Sequence, residues 1–139
     1  MQRRKFLNTC VFGIFGISGV ITFLESCSKI NGTQSAQGPT VNFTLDLSDV
    51  TNFSLNKSGG LIVSNGVMVI NSGGNFICLA QACTHQGCSL DYRSSTNNLV
   101  CPCHGGTFDL DGKVTSGPPP APIKKYLVVK NGNILTISG

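Results

Sequence analysis

The 139-residue sequence has no tryptophan, two tyrosines and two histidines, and only 12% of its residues are charged. A nucleic-acid partner is excluded by that poverty. Its ten cations include Arg3, Arg4 and Lys5 at the start, and no basic face interleaved with aromatic platforms can be built from the rest. Beyond Ser26 seven cations meet five acids, so the remainder is nearly balanced. Helical periodicity is missing too: after residue 27 no stretch of useful length repeats its apolar residues at 3.6. The length left after the first 27 residues makes one domain of about a hundred residues.

Alternation is what remains. Val41, Phe43, Leu45 and Leu47 alternate with polar residues, as in a half-buried strand. Leu61-Ile62-Val63 and Val67-Met68-Val69-Ile70 flank Ser64-Asn65-Gly66, a hairpin signal. Asn71-Ser72-Gly73-Gly74 turns the chain into a strand from Asn75 to Ala80. Cys78 within that strand reads as a small buried apolar residue. Tyr126 to Lys130, Asn131-Gly132 and Asn133 to Ser138 read as a closing Asn-Gly hairpin. The fold class is therefore all-β and antiparallel, with about residues 82–109 inserted to carry chemistry.

That chemistry is concentrated. Both histidines and four of the seven cysteines lie in Cys83-Thr84-His85-Gln86-Gly87-Cys88 and Cys101-Pro102-Cys103-His104. Each run offers one Cys/His pair, Cys83 with His85 and Cys101 with His104, a mixed thiolate–imidazole donor set for a metal. Zinc accepts two Cys and two His, but its usual spacing places the cysteines together and the histidines together. Cys88 and Cys103, one on each run, either bridge the two runs or stay free thiols near the metal.

The double motif resembles that of the Rieske iron–sulfur family: Cys-x-His, some fifteen residues, then Cys-x-x-His. Here fifteen residues separate His85 from Cys101. The resemblance runs from about Val41 to the end. It implies a Rieske-type β sandwich over residues 41–139, with a small cluster-binding subdomain at one end. It implies one [2Fe-2S] cluster, with Cys83 and Cys101 on one iron and His85 and His104 on the other. It further implies a Cys88–Cys103 disulfide, as in the Rieske proteins of cytochrome bc and bf complexes and of many arsenite oxidases. Gly117-Pro118-Pro119-Pro120-Ala121-Pro122 resembles the loop that closes over the cluster in bc-type members.

Charge follows from that ligand set. Two ferric ions, two sulfides and two thiolates sum to zero, and neutral imidazoles add nothing. An added electron leaves one negative charge, where an all-cysteine centre would reach three. Histidine ligation therefore raises the potential. The outward ring nitrogens of His85 and His104 change acidity with the charge on the iron, which couples proton to electron. In high-potential members the second loop continues His-Gly-Ser-x-Tyr, whose hydroxyls donate to cluster sulfurs. Here Gly106 and Phe108 stand in those places, so a lower midpoint is expected, suited to menaquinol. Thr107 is the one hydroxyl nearby that could turn inward.

Arg3-Arg4-Lys5-Phe6-Leu7 looks like a twin-arginine export signal, with Gln2 where Ser or Thr is commoner. The uncharged run from Cys10 to Leu24 carries Gly13, Gly16 and Gly19 and is shorter than the about 20 residues of a full span. Leu24-Glu25-Ser26-Cys27 resembles a lipoprotein box with Cys27 acylated, though Glu25 fits it poorly. Alternatively Phe6 to Leu24 stays as a helix roughly 28 Å long. Both fates attach the protein to the outer face of the cytoplasmic membrane. Ser28 to Thr40 reads as a flexible linker.

Together with the resemblance, these features imply a membrane-tethered Rieske electron carrier. One reading is the iron–sulfur subunit of a quinol–cytochrome reductase, with cytochrome b and a c-type cytochrome as partners and His85 or His104 as the quinol contact. A second is the small subunit of a molybdenum oxidase such as arsenite oxidase, beside a molybdopterin subunit. A third, of another class, is a non-redox zinc-binding lipoprotein.

Overall fold

The structure, a computed structural model, describes residues 38–139. Strands β1 (Asn42–Asp46), β2 (Leu61–Ser64), β3 (Val67–Ser72), β4 (Asn75–Ala80), β9 (Lys125–Asn131) and β10 (Ile134–Ser138) form one antiparallel sheet in the order β1-β10-β9-β4-β3-β2. Between β4 and β9 the chain builds a second sheet from β5 (Asp91–Arg93), β6 (Asn98–Val100), β7 (Thr107–Phe108) and β8 (Val114–Ser116). This smaller sheet continues past Asp109 to Ser116. The chain then returns beside the strand it left, pairing Cys78 with Tyr126 and Leu79 with Lys125.

Alternation sets the core. Phe43 and Leu45 of β1 pair with Ile137 and Leu135 of β10, and the latter two are fully buried. The run Val67-Met68-Val69-Ile70 has no alternation because both faces of β3 are covered. A 3-10 helix, Val50–Asn56, packs against β2 and β3. Asp49 caps it by accepting from the Thr51 N–H at 2.9 Å. Its buried residues, Asn52 and Leu55, lie three apart, the 3-10 repeat. Three asparagine amides tie this segment to its neighbours. Asn71 donates to Leu55 O (2.8 Å), Asn52 to Asp46 O (2.9 Å) and Asn56 to Leu47 O (2.9 Å). Cys78 is buried in β4, and burial pushes its thiol up to about 12, so it is an inert core residue.

Two of the three expected hairpins turn where expected. Asn65 and Gly66 have φ of 51° and 74°, as a type I′ turn requires. Gly73 and Gly74 follow the same rule with 64° and 94°. The last hairpin is displaced by one residue. Asn131 pairs with Ile134, so the turn is Gly132-Asn133 and not Asn131-Gly132. The string Asn131-Gly132-Asn133 contains both turn dipeptides. Glycine takes the first central position with φ 59°, as in a type II′ turn.

The expected linker also ends early. An ideal Cβ on Gly38 would lie 2.5 Å from Tyr126 Oη and 2.9 Å from Ala80 Cβ. The Pro39 carbonyl accepts from Tyr126 Oη at 2.8 Å and Lys124 Nζ at 3.3 Å. Gly38 and Pro39 are therefore docked on the domain. The expected export signal, the acylation site at Cys27 and the linker up to residue 37 lie outside the described residues. Among the described residues no helix is long and apolar enough to cross a membrane.

Candidate metal centre

The two Cys/His runs form loops with the same backbone bonding. In the first, Gly87 N–H donates to Cys83 O and Cys83 N–H to Cys88 O, each at 2.8 Å. In the second, Gly105 N–H donates to Cys101 O at 2.9 Å and Cys101 N–H to Gly106 O at 2.7 Å. Gly87 and Gly105, each four residues after a cysteine, have φ of 75° and 69°, which glycine adopts without strain. Both loops share a Cys-x-x-x-Gly spacing, a repeat that the Cys/His pairing alone does not bring out.

Each loop buries its cysteine and leaves its histidine nearer the surface. Cys83 and Cys101 are 2% and 1% exposed, and neither is in a disulfide. His85 is half-buried and His104 exposed, their rings 4.7 Å apart and nearly perpendicular. Cys88 and Cys103 are joined in a disulfide that pins the loops together. The sulfurs of Cys88, Cys101 and Cys103 lie within 4.8 Å of one another. The bridge consumes two of them, so the donors left are two thiols and two imidazoles.

The state of these donors fits a metal cluster. Burial pushes the Cys83 thiol up; the His85 N–H opposes this, the neighbouring Cys101 thiol adds to it, and the Gln86 N–H opposes it. The crowded, buried Cys83 thiol resists losing its proton, a penalty that bound cations remove. His85 Nδ1 is buried without a hydrogen-bond partner. A buried imidazole nitrogen left so is uncommon, and metal ligation would satisfy it.

The residues around the donors supply few hydroxyls. Phe108 is fully buried and Gly106 has no side chain. Thr107 does not turn inward, because its hydroxyl bonds that of Thr115 at 2.7 Å. Thr84, which sequence reasoning passed over, donates from a buried hydroxyl to Ala121 O at 2.6 Å. It ties the first loop to the proline-rich segment. Lys125 pairs with Asp111 at 2.6 Å on the surface, a contact of small energetic weight.

Comparison with known proteins decides between the metals. Residues 45–127 match the Rieske [2Fe-2S] domain family. The chain belongs to the Rieske family. The cytochrome b6-f complex iron-sulfur subunit of Chlorobaculum tepidum is 30% identical over 143 residues, covering 96% of this chain and 74% of that one. The corresponding subunit of Chlorobaculum thiosulfatiphilum is 39% identical over 72 residues, 52% of this chain and 40% of its own length. Among solved structures, the cyanobacterial plasma membrane Rieske protein PetC3 from Synechocystis PCC 6803 superposes with a TM-score of 0.54. Its identity is 26%, and the alignment covers 72% of this chain and all of that one. The Rieske protein described here therefore uses a [2Fe-2S] cluster to transfer electrons, and the zinc reading falls.

The Thr84 contact makes a limited prediction. Thr84→Val keeps the shape and removes the donor, leaving the Ala121 carbonyl unpaired at a cost of about 1–3 kcal/mol. Thermal unfolding of the Rieske holoprotein is expected to shift downward accordingly. An unchanged melting temperature would show that this bond carries no net stability.

Proposed function

We propose that this Rieske protein is the membrane-tethered iron–sulfur subunit of a quinol–cytochrome reductase on the outer face of the cytoplasmic membrane. The observation that carries the reading is the graded exposure of the donors: two buried thiols, a half-buried His85 and an exposed His104. Relatives named as cytochrome b6-f subunits support the choice of complex, with cytochrome b and a c-type cytochrome as partners.

Cys83 and Cys101 would hold one iron as thiolates, and His85 and His104 the other through ring nitrogens. When bound, the cluster supplies a one-electron acceptor whose charge stays near zero. His104, on the surface, accepts a hydrogen bond from a quinol hydroxyl and holds the released proton at its free ring nitrogen. His85 packs edge-on against that ring and fixes its position. The Cys88–Cys103 bridge and Thr84 keep the loops from parting. Pro39, held by Tyr126 and Lys124, docks the start of the described residues on the domain. With no hydroxyl at Gly106 or Phe108 and that of Thr107 engaged elsewhere, the midpoint falls in a range suited to menaquinol.

Purified holoprotein is expected to contain two iron and two acid-labile sulfide ions per chain. Its reduced form is expected to give the EPR signature of mixed His/Cys ligation and to form on addition of a menaquinol analogue. An all-cysteine signature would refute the ligand set. Reduction by other donors but never by a quinol would refute the place in the chain of electron carriers.

A further inference from the structure

Strand β1 ends the larger sheet on one side and β2 on the other. Val41 and Gly139 exchange both backbone bonds, at 2.8 and 3.0 Å. Bonded pairs alternate in an antiparallel ladder, so Phe43 and Leu45 also face β10. Asn42, Thr44 and Asp46 then aim their N–H and C=O groups away from the sheet. Among the described residues, the one partner on that side is the Asn52 amide, which donates to Asp46 O at 2.9 Å. The β2 edge is less open, because the 3-10 helix packs on it and Ser54 Oγ donates to Leu61 O at 3.0 Å. A groove runs along β1. A cavity of about 360 Å³ extends from Pro39 to Phe43, with Asn65 in its wall. Another of about 560 Å³ continues past Thr44, Leu45 and Asp46, walled by Ile62, Val63 and Ser64 of β2.

The charge in this groove has one sign. Asp46 and Asp49 line the second cavity, and neither cavity has a lysine or arginine in its wall. The Ser48 hydroxyl and N–H hold the Asp46 carboxyl below its ordinary range, and the Thr51 N–H and hydroxyl do the same for Asp49. All four of these bonds go to Oδ1. Oδ2 of each carboxylate is left without a partner among the described residues. Apolar surface lies at the same end: Val63 in the wall is 46% exposed, and Val50 and Phe53, on the helix that Asp49 caps, are 86% and 57% exposed. Lys57 sits over the Phe53 ring, and at the other end Lys124 holds the Pro39 carbonyl.

We propose that the β1 edge is a docking site for an extended segment of a partner protein, which adds to the sheet as a strand and carries a lysine or arginine between apolar residues. Asn42 and Thr44 supply the backbone pairing. The free Oδ2 atoms of Asp46 and Asp49 take the cation, in charge-assisted bonds. Val50, Phe53 and Val63 receive the apolar side chains, which alternate along the added strand. An acidic segment would be repelled, so charge selects the partner. The site is independent of the ligand assignment: the cluster loops leave the larger sheet from its middle, between β4 and β9, whereas β1 is its end.

The probe is a phage-displayed library of random peptides panned against full-length holoprotein, with synthetic copies of the enriched peptides used for titration. Enriched peptides are expected to hold a lysine or arginine between apolar residues, and to slow hydrogen exchange at the Asn42 and Thr44 amides. Asp46→Asn/Asp49→Asn keeps the Oδ1 acceptors and the helix cap but removes both charges, and is expected to bind these peptides at least tenfold more weakly. Thr44→Pro removes an N–H that faces away from β10, where an edge strand tolerates proline, and is expected to weaken binding to a similar extent. Should that variant fail to fold, peptides N-methylated at alternate residues make the same test from the other side. Enrichment of no peptide, or of acidic ones, would overturn the proposal. So would affinity unchanged in Asp46→Asn/Asp49→Asn or on N-methylation, or protection confined to the cluster loops. A Thr44 amide protected without peptide would overturn it too, with this chain's own residues as occupant if protection is independent of protein concentration and a second copy if it rises with it.

Discussion

His104→Cys is expected to lower the midpoint of the Rieske holoprotein by at least about 100 mV, since all-cysteine centres lie near −400 mV and Rieske centres between about −150 and +300 mV. The cause is charge. A neutral imidazole gives way to a thiolate, so the oxidised centre begins with one negative charge and the incoming electron meets it. His104 is the better of the two histidines for this test because it is exposed and its loop closes through backbone bonds from Cys101 to Gly105 and Gly106. His85→Cys is less clean. It removes a half-buried ring, and with it the edge-on contact that positions His104. Voltammetry with iron and sulfide assays on the same samples reads the effect. A midpoint unchanged in a variant that keeps its cluster would show that His104 is not a ligand.

The centre was legible in the sequence because its chemistry and its backbone repeat together. Cys83 to Gly87 and Cys101 to Gly105 mark two loops of one kind, and only two histidines exist to complete the donor set. The hairpins at Asn65-Gly66 and Gly73-Gly74 were legible for a similar reason, since positive φ at both turn positions leaves few residue types. Other features left no periodic trace. The 3-10 helix over Val50–Asn56 buries only Asn52 and Leu55, too few to set a period. Strands of two or three residues in the smaller sheet cannot display alternation. Thr84 with Ala121, Gly106 with Pro119 and Gly38 with Tyr126 are contacts between residues 13 to 88 positions apart, and nothing local to either partner announces them. In the fold, Gly106 and Gly117 mark close approach, not freedom.

Loss of the disulfide is expected to have the largest effect on stability. In the chain-entropy model a bridge closing about 15 residues is worth roughly 3 kcal/mol, and Cys88 and Cys103 are separated by 15. For a domain of about 100 residues that corresponds to a fall in melting temperature of about 12 °C or more. Both cysteines must be replaced together. A single Cys88→Ser or Cys103→Ser would leave a thiol within 4.8 Å of Cys101, where it competes for metal or forms a new bridge. The damage should also be local. Cys88 and Cys103 lie in the insertion between β4 and β9, whereas Val67 to Asn71 are buried in the larger sheet. In Cys88→Ser/Cys103→Ser, hydrogen exchange is therefore expected to quicken at the loop amides of Cys83, Gly87, Cys101 and Gly105. The amides of β3 should keep their protection. Uniform loss of protection would mean that the bridge holds the whole domain and not its cluster-bearing end. Wild-type protein should also gain two hydrogens in mass on reduction, and labelling of both thiols without reductant would remove the bridge from the account.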